Sequence, residues 1–533
     1  MLVVTGYGAL TALLLHPLVF HLGSVARLDN ADTRMLIWNV AWVARTLVID
    51  PLHVFDANIF YPHRGTLAYS ETNLGAGILA IPAYWVTRNP FAAHNLVVAL
   101  SFVLSGTCTY YLVRYLVRDR GAAAVAGICF AFCPYALSHL PHIHLLMTFG
   151  LPLSLLAFHR LADRPTAGRG VALGAAIAVQ ALFCGYYGVF AGLVVGLAVM
   201  VTAATRRTLT DRRYWNAIVV AGLVAATTVG TLFLPQLRLQ RATGFNRPFS
   251  DAISYSATLR TYFASSAWAH EWMLTIVKRW NEVLFPGFVA SLGGVLGFVG
   301  GRRDGGWRRD AAILYGALAA LSFWASLGPG AGLYRVLHAL LPPFSLMRAP
   351  SRFGVLVALA LSVLAGLAIS ALVARGRIGR RATLAIAAFA AFELAAPVSF
   401  SPVPAAEPAY RVLAALPRGP VLELPFYSHR FAAARTQYML NSTAHWMPLV
   451  NGYSSHTPSD FIENTPVLAE FPSRAAFRIL ERDRVKYAVF HLYAFSPAAL
   501  ASLNARLREF DDELVRRYAD DRIWLYEIVG YPG

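Results

Sequence analysis

Apolar runs of membrane-spanning length recur along this chain, and no other feature limits its fold so tightly. A run of about 18 or more apolar residues crosses hydrocarbon as a helix, because only a helix satisfies its own backbone there. Such runs predict eleven spans: Leu2–Leu22, Asn95–Val117, Gly121–Leu140, Ile143–Leu161, two within Val171–Ala203, Trp215–Leu237, Val283–Val299, Ala311–Leu327, Phe353–Val373 and Ala382–Pro397. The paired spans should turn near Gly185-Tyr186-Tyr187-Gly188. The stretch Leu74–Val86 reads as an interfacial or re-entrant helix. Only 14% of the residues are charged, against about a quarter in soluble domains. The expected fold class is an all-α polytopic membrane helix bundle over residues 1–399, with a long first outer loop at 23–73. A small extracytoplasmic α/β domain should follow at 400–533.

Arginine sets the orientation, since cytoplasmic loops carry the excess of basic residues. The clusters Arg118/Arg120, Arg160/Arg164/Arg169, Arg206/Arg207/Arg212/Arg213, Arg302/Arg303/Arg308/Arg309 and Arg375/Arg377/Arg380/Arg381 all fall in loops that the span order puts on one side. That predicts a multi-pass protein of the cytoplasmic (inner) membrane, with its N-terminus inside and its C-terminal domain outside. The formal charge of +18 then faces anionic headgroups and calls for no nucleic acid. The first span lacks a basic n-region and a small-x-small cleavage site, so it reads as an uncleaved helix. Cys108, Cys129, Cys133 and Cys184 all lie in spans and offer no disulfide or metal spacing. A phosphate-binding glycine loop, a CxxC pair and an HExxH helix are all absent from the sequence, which leaves nucleotide-driven pumping and zinc proteolysis unsupported.

Three outer segments carry the chemistry-bearing residues. The first loop opens with Asp29 and Asp32, whose i,i+3 spacing would put both on one helical face, and it ends near Glu71. Thr33–Val48, with Trp38 and Trp42 one turn apart, reads as a helix at the membrane interface. A carboxylate beside such a surface suits a general base. Alternatively, Asp29 caps that helix. The second segment, Leu237–Glu282, interleaves Arg238, Arg241, Arg247, Asp251, Arg260, Glu271 and Glu282 with aromatic residues. It could cover a lipid-borne or sugar substrate, or form a structural aromatic belt. The third, Pro342–Phe353, places Arg348 and Arg352 on the outer side, against the positive-inside bias. Arginine favours bidentate phosphate contacts, and snorkelling to headgroups is the plainer alternative. His139, His142 and His144 cluster in SHLPHIH. With no carboxylate nearby in sequence, they suit hydrogen bonding to substrate or backbone better than metal binding.

This arrangement resembles the GT-C glycosyltransferases: a first helix, a long outer loop opening with acidic residues, interfacial helices, many spans and an outer C-terminal domain. Protein O-mannosyltransferases, oligosaccharyltransferase catalytic subunits and aminoarabinose transferases share it. The segments FSLMRAPSRFGVLVALALSVLAGLAI and GPVLELPFYS … STAHWMPLVNGYSSHTP look like those of uncharacterised bacterial members. The resemblance implies a polyprenyl-phosphate-linked sugar as donor, with a glycan, lipid or protein acceptor. It implies Asp29, Asp32 or Glu71 as the catalytic carboxylate. Arg348 or Arg352 would hold the departing phosphate, while Arg247, His142 and His144 are further candidates for substrate contact. Family members usually carry an adjacent or once-spaced acidic pair, whereas Asn30 and Ala31 separate the aspartates here. The resemblance leaves a divalent cation, Mg or Mn, open.

In the C-terminal domain, VLELPF near Val421, KYAVFHLY near Lys486 and IWLYEIV from Ile523 read as strands, and Ala498–Tyr518 as a helix. Glu423, His429, His445, Asn451 and His456 are its polar standouts, either for glycan contact or for turns. Two rival functions remain at this level. One is a lipid-linked glycan flippase or transporter, which should show repeats and broken helices with midplane charges. The other is a non-catalytic assembly protein that binds glycan or lipid.

Overall fold

The computed structural model describes residues 1–277 and 282–532. Lys278 and Trp280, part of the second outer segment, lie outside the described residues. The chain forms two compact units: residues 1–21 with 95–399, and residues 22–94 with 400–533.

Along the chain, α1 (Leu2–Leu14) is followed by α2 (Ala31–Ile49), α3 (Leu74–Thr87) and α4 (Pro90–Val117). Then come α5 (Arg120–Ala131), α6 (Pro134–Ser138), α7 (Gly150–Asp163), α8 (Ala167–Phe183), α9 (Gly185–Thr205) and α10 (Arg212–Leu232). The helical series continues with α11 (Phe288–Asp304), α12 (Gly306–Ser326), α13 (Gly354–Ala374) and α14 (Arg380–Glu393). Each expected span coincides with helix in the structure, though several are shorter or broken. Among the described residues, six helical segments are long and apolar enough to cross a membrane by length and composition. The protein is a multi-pass membrane protein.

In the first unit, α13 is the central element. Of its most apolar stretch 83% is buried, against 11% for α10. It packs on α5, α11 and α12. Close approach to α11 depends on small residues: a Cβ on Gly297 would sit 1.9 Å from the Leu364 carbonyl oxygen. Such notches let membrane helices touch backbone to backbone. Another notch seats α1. The Tyr7 ring lies against Gly106 and Gly127, and its hydroxyl donates to the Ala124 carbonyl at 3.1 Å.

Two spans are interrupted, and a third break separates a pair of spans. α5 stops at Ala131 and α6 resumes at Pro134; residues 147–149 separate a short turn (Ile143–Leu146) from α7; and Cys184, extended, separates α8 from α9. Proline at position 134 opens α6, where its missing N–H costs nothing. The break at Cys184 falls just before the expected Gly-Tyr-Tyr-Gly turn, so Tyr186 and Tyr187 sit in the first turn of α9.

The second unit joins the first outer loop to the C-terminal segment. β1 (Val25–Ala26) pairs antiparallel with β2 (Ser401–Pro402). Asn58 accepts from the Trp38 indole at 3.0 Å and donates to the Ser442 hydroxyl and the Met447 carbonyl. The Phe60 N–H donates to the Asn451 carbonyl at 3.0 Å. In this division the first loop, residues 23–73, groups with the C-terminal segment. The helix expected at Thr33–Val48 is present as α2. α2 is buried around most of its circumference, packs on α3 and on the helix Arg435–Asn441, and turns the indole N–H of Trp42 to the Val54 carbonyl at 2.9 Å.

The sheet of this unit has the order β3 (Val421–Leu424), β4 (Tyr487–His491), β6 (Ile523–Ile528), β5 (Leu514–Ala519), with β3 parallel to β4 and the other pairs antiparallel. The predicted helix Ala498–Tyr518 is shorter: it covers Pro497–Glu509, and its expected last turn is β5 instead. The polar run around Asp511-Asp512 breaks the helix, and edge pairing with β6 captures the rest.

Candidate functional site

The breaks in the first unit gather side chains that are far apart in sequence. The short 3-10 turn Pro350–Phe353, leading into α13, carries Arg352. Its guanidinium carbon stands 4.5 Å from the centre of the Tyr186 ring. Tyr186 fixes that turn from the other side. Its hydroxyl donates to the Ala349 carbonyl at 2.8 Å and accepts from the Ala349 N–H at 3.1 Å. Next to it, Tyr187 shares a 2.8 Å hydrogen bond with the Tyr135 hydroxyl and donates to the Leu145 carbonyl. Arg352 therefore sits in an aromatic cage whose phenols are already engaged, and its charge polarises the ring faces.

Arg348 lies 5.2 Å from the Tyr255 ring, and the Arg247 N–H donates to the Ser345 carbonyl at 3.0 Å. Burial, together with the charge of Arg348 nearby, pushes the Arg247 guanidinium below the ordinary arginine range. Like charges crowd here. Among the described residues, none of the three arginines has a carboxylate within ion-pair distance.

His139, His142 and His144 follow α6, with successive ring centres 6.0 and 6.1 Å apart. His139 stacks on Tyr135 at 4.2 Å. Its Nδ1 lies 2.8 Å from the Tyr135 carbonyl, an acceptor only, so the Nδ1 proton is fixed there. Its Nε2 faces Glu282 at 3.5 Å. Burial pushes the Glu282 carboxyl up, but His139 and then Arg352 outweigh burial and hold it below the usual glutamate range. A second anchor steadies the neighbouring loop. Glu393, buried, accepts from the Phe288 and Val289 N–H groups at the start of α11 and from His270 Nε2 at 3.1 Å.

The structure thus brings Arg247, Arg348, Arg352, His142 and His144 into one basic, aromatic-lined cluster. Asp29, Asp32 and Glu71 belong to the second unit. Asp29 is exposed, outside α2, and paired with Arg27 at 3.2 Å. It neither caps α2 nor shares a helical face with Asp32. Asn30 is the cap, in extended conformation, and its side chain accepts from the Asp32 N–H at 2.8 Å. Asp32 occupies the first turn of α2, where a carboxylate favours the helix dipole. Arg34 holds the loop in place by donating to the Leu28 carbonyl and the Thr436 hydroxyl. The Glu71 carbonyl accepts from Asn39 and Asn73.

Sequence reading missed Tyr135 and the cage role of Tyr186 and Tyr187. The usable signal was an aromatic pair, Tyr186-Tyr187, beside glycines in a long apolar stretch. Among the described residues, no group of three His, Cys, Asp or Glu side chains is placed to hold a metal ion. The donor set of the basic cluster suits an anion instead.

The standouts of the second unit are mostly structural. Glu423, fully buried, accepts from the Tyr410 hydroxyl at 3.0 Å and from His491 Nε2 at 2.7 Å. Asn451 clamps the Glu423 backbone with two hydrogen bonds. Asn441 donates to the Tyr410 hydroxyl at 2.9 Å. His456 stacks edge-on against Tyr69, and His429 is exposed.

Taken together, helix order, broken spans and the appended sheet define a polytopic protein with the fold of the GT-C glycosyltransferases. Two solved structures carry that likeness. ArnT from Cupriavidus metallidurans in the apo state is 14% identical, over 98% of this chain and 98% of that one, with a TM-score of 0.50. Arabinofuranosyltransferase AftD from Mycobacteria is 15% identical with a TM-score of 0.61; the match covers 99% of this chain and 41% of AftD. The Archaeoglobus fulgidus oligosaccharyltransferase AglB, at 15% identity over 92% of this chain and 69% of its own, has a TM-score of 0.48. No protein-family model matches the sequence, and no curated protein does.

Proposed function

We propose that the protein is a glycosyltransferase that moves a sugar from a polyprenyl-phosphate donor to a glycan, lipid or protein acceptor at the outer face of the inner membrane, which it crosses eleven times. The observation that carries this reading is the cage around Arg352: three arginines with no carboxylate at ion-pair distance among the described residues, at the end of broken apolar helices. A lipid phosphate supplies the missing anion and leaves its chain in the bilayer. The fold shared with ArnT and AftD supports the reaction class.

The chemistry follows from the charges. The acceptor hydroxyl oxygen attacks the anomeric carbon, and the bond from that carbon to the phosphate oxygen breaks. The lipid phosphate departs as an anion, stabilised by Arg352 and Arg348. A first-loop carboxylate, Asp29 or Asp32, takes the acceptor proton, with Glu71 as a second acidic group. Direct attack inverts the sugar carbon.

The test is transfer of radiolabelled sugar from polyprenyl-phosphate donors by the purified protein in lipid, beside the Asp29→Asn/Asp32→Asn double variant. Label transferred only by the parent supports the reading. Equal transfer by the double variant removes the base assignment. Saturable lipid-phosphate binding without transfer replaces the enzyme with a binding or flipping protein.

A further inference from the structure

The basic cluster lies at the first turn of α9. The last turn of the same helix borders a second, unassigned site. From Tyr186 to Thr202 is about 24 Å along the helix axis, close to the thickness of a bilayer core. There the ends of α4, α7, α9 and α12 enclose a cavity of about 790 Å³.

Its walls are charged unequally. Arg114, Arg118, Arg160 and Arg206 line it, with Asp163 and Asp310 as the carboxylates. Both carboxylates are already engaged. Arg206 holds Asp163 at 2.7 Å and Asp310 at 3.4 Å, and the Tyr115 hydroxyl donates to Asp163 at 2.6 Å. His159 is buried and shares a hydrogen bond with the Tyr315 hydroxyl at 3.0 Å. Arg114, Arg118 and Arg160 have no carboxylate within ion-pair distance among the described residues. Arg160 lies against the Tyr115 ring at 5.7 Å. Tyr111 and Trp307, at the rim, are 45% and 42% exposed, as aromatic residues are at a headgroup level.

We propose that this cavity binds a phosphate-bearing anion, contributed by the headgroup of an anionic membrane lipid. Three guanidinium groups with no carboxylate at ion-pair distance among the described residues, set in a concave site, match phosphate better than they match solvent. The aromatic rim favours the lipid over a soluble phosphate, because it places an apolar border where acyl chains begin. Basic pockets between membrane helices take lipid headgroups in this way. The proposal is independent of the transfer reaction, since it uses none of the residues assigned to that reaction.

The experiment is native mass spectrometry of the full-length protein extracted from equimolar phosphatidylglycerol and phosphatidylcholine vesicles. The parent should retain phosphatidylglycerol, and Arg114→Gln/Arg160→Gln should retain about thirtyfold less. Arg114→Lys/Arg160→Lys, which keeps the charge, should recover most of the retention and guards against a variant that merely misfolds. Arg377→Gln/Arg381→Gln, exposed and outside the cavity, should behave as the parent does. Equal loss in that control, or unchanged retention in Arg114→Gln/Arg160→Gln, overturns the site. Displacement of the lipid by inorganic phosphate at matched concentration overturns the lipid as its source.

Discussion

The half-buried basic cluster of the first unit and the fully buried Glu423 network of the second place ionisable groups in opposite ways. Around Arg352 the hydrogen-bonding capacity of the cage is turned on itself: Tyr186 to the Ala349 backbone, Tyr187 to Tyr135. Among the described residues the arginines meet ring faces and each other, with no carboxylate within ion-pair distance. Around Glu423 every partner serves the carboxylate. Tyr410 and His491 donate to it, Asn441 supports Tyr410, and the Tyr493 hydroxyl meets His491 Nδ1 at 2.9 Å. A satisfied buried network fixes a fold, whereas an unsatisfied charge cluster is open to a counter-ion from outside.

That contrast can be broken most sharply at Glu423. Glu423→Ala leaves His491 and Tyr410 without their acceptor and should destabilise the protein by about 3–5 kcal/mol, read as a lower unfolding midpoint. Polyprenyl-phosphate binding by the protein that remains folded should be unchanged. A stable variant would show that the network is dispensable.

Arg352→Gln should do the reverse. Loss of a charge-assisted contact of about 2–3 kcal/mol weakens polyprenyl-phosphate binding by roughly 30- to 150-fold, with the unfolding midpoint unmoved or raised by relief of like charge. Unaltered affinity in titrations with the lipid phosphate would end the assignment of Arg352.

His445 sharpens the comparison through pH. Its Nδ1 accepts from the Met447 N–H at 3.0 Å, and burial, with Arg418 nearby, lowers its pKa to about 3. In the unfolded chain the imidazole binds its proton near its ordinary value of 6.5. The folded state is therefore disfavoured as pH falls below 6.5, by about 1.4 kcal/mol per pH unit until the folded pKa is reached. Above 6.5 the contribution is flat. His445→Gln should flatten this part of the stability profile; an unaltered slope would point to other groups.

The smallest effect belongs to Tyr186→Phe. The ring stays over Arg352 while the bonds to Ala349 are lost, about 1 kcal/mol. Lipid-phosphate affinity should fall about fivefold, and a change as large as that of Arg352→Gln would mean that the turn itself, not the charge, is decisive.

The bundle was legible because hydrocarbon imposes one rule on every span, and apolar length reports it directly. The helix breaks were less so. Pro134 and the run Gly150-Leu151-Pro152 sit inside apolar stretches that still read as continuous by composition. Arg348 and Arg352 stood out because the expected span order puts them on the side where basic residues are scarce. The Asp29/Asp32 face was not, because it assumed a helix that Asn30 starts only afterwards. The packing of α2 was not legible for a related reason: its tryptophans resemble an interfacial belt, and only their hydrogen bonds to Asn58 and Val54 show what they pack into. β5 was lost to helix because strand pairing with β6 is a long-range choice that local propensity does not contain.

The position of α13 has a consequence for biogenesis. It is the most apolar of the membrane-length helices, yet its neighbours α5, α11 and α12 enclose it. All three precede it in the chain. A ribosome that has finished α12 has therefore released a bundle with an unfilled slot, edged by the glycine notch of α11. The apolarity of α13 thus serves its partition into the bilayer first. Its burial comes second, when it moves laterally out of lipid into the slot its predecessors left.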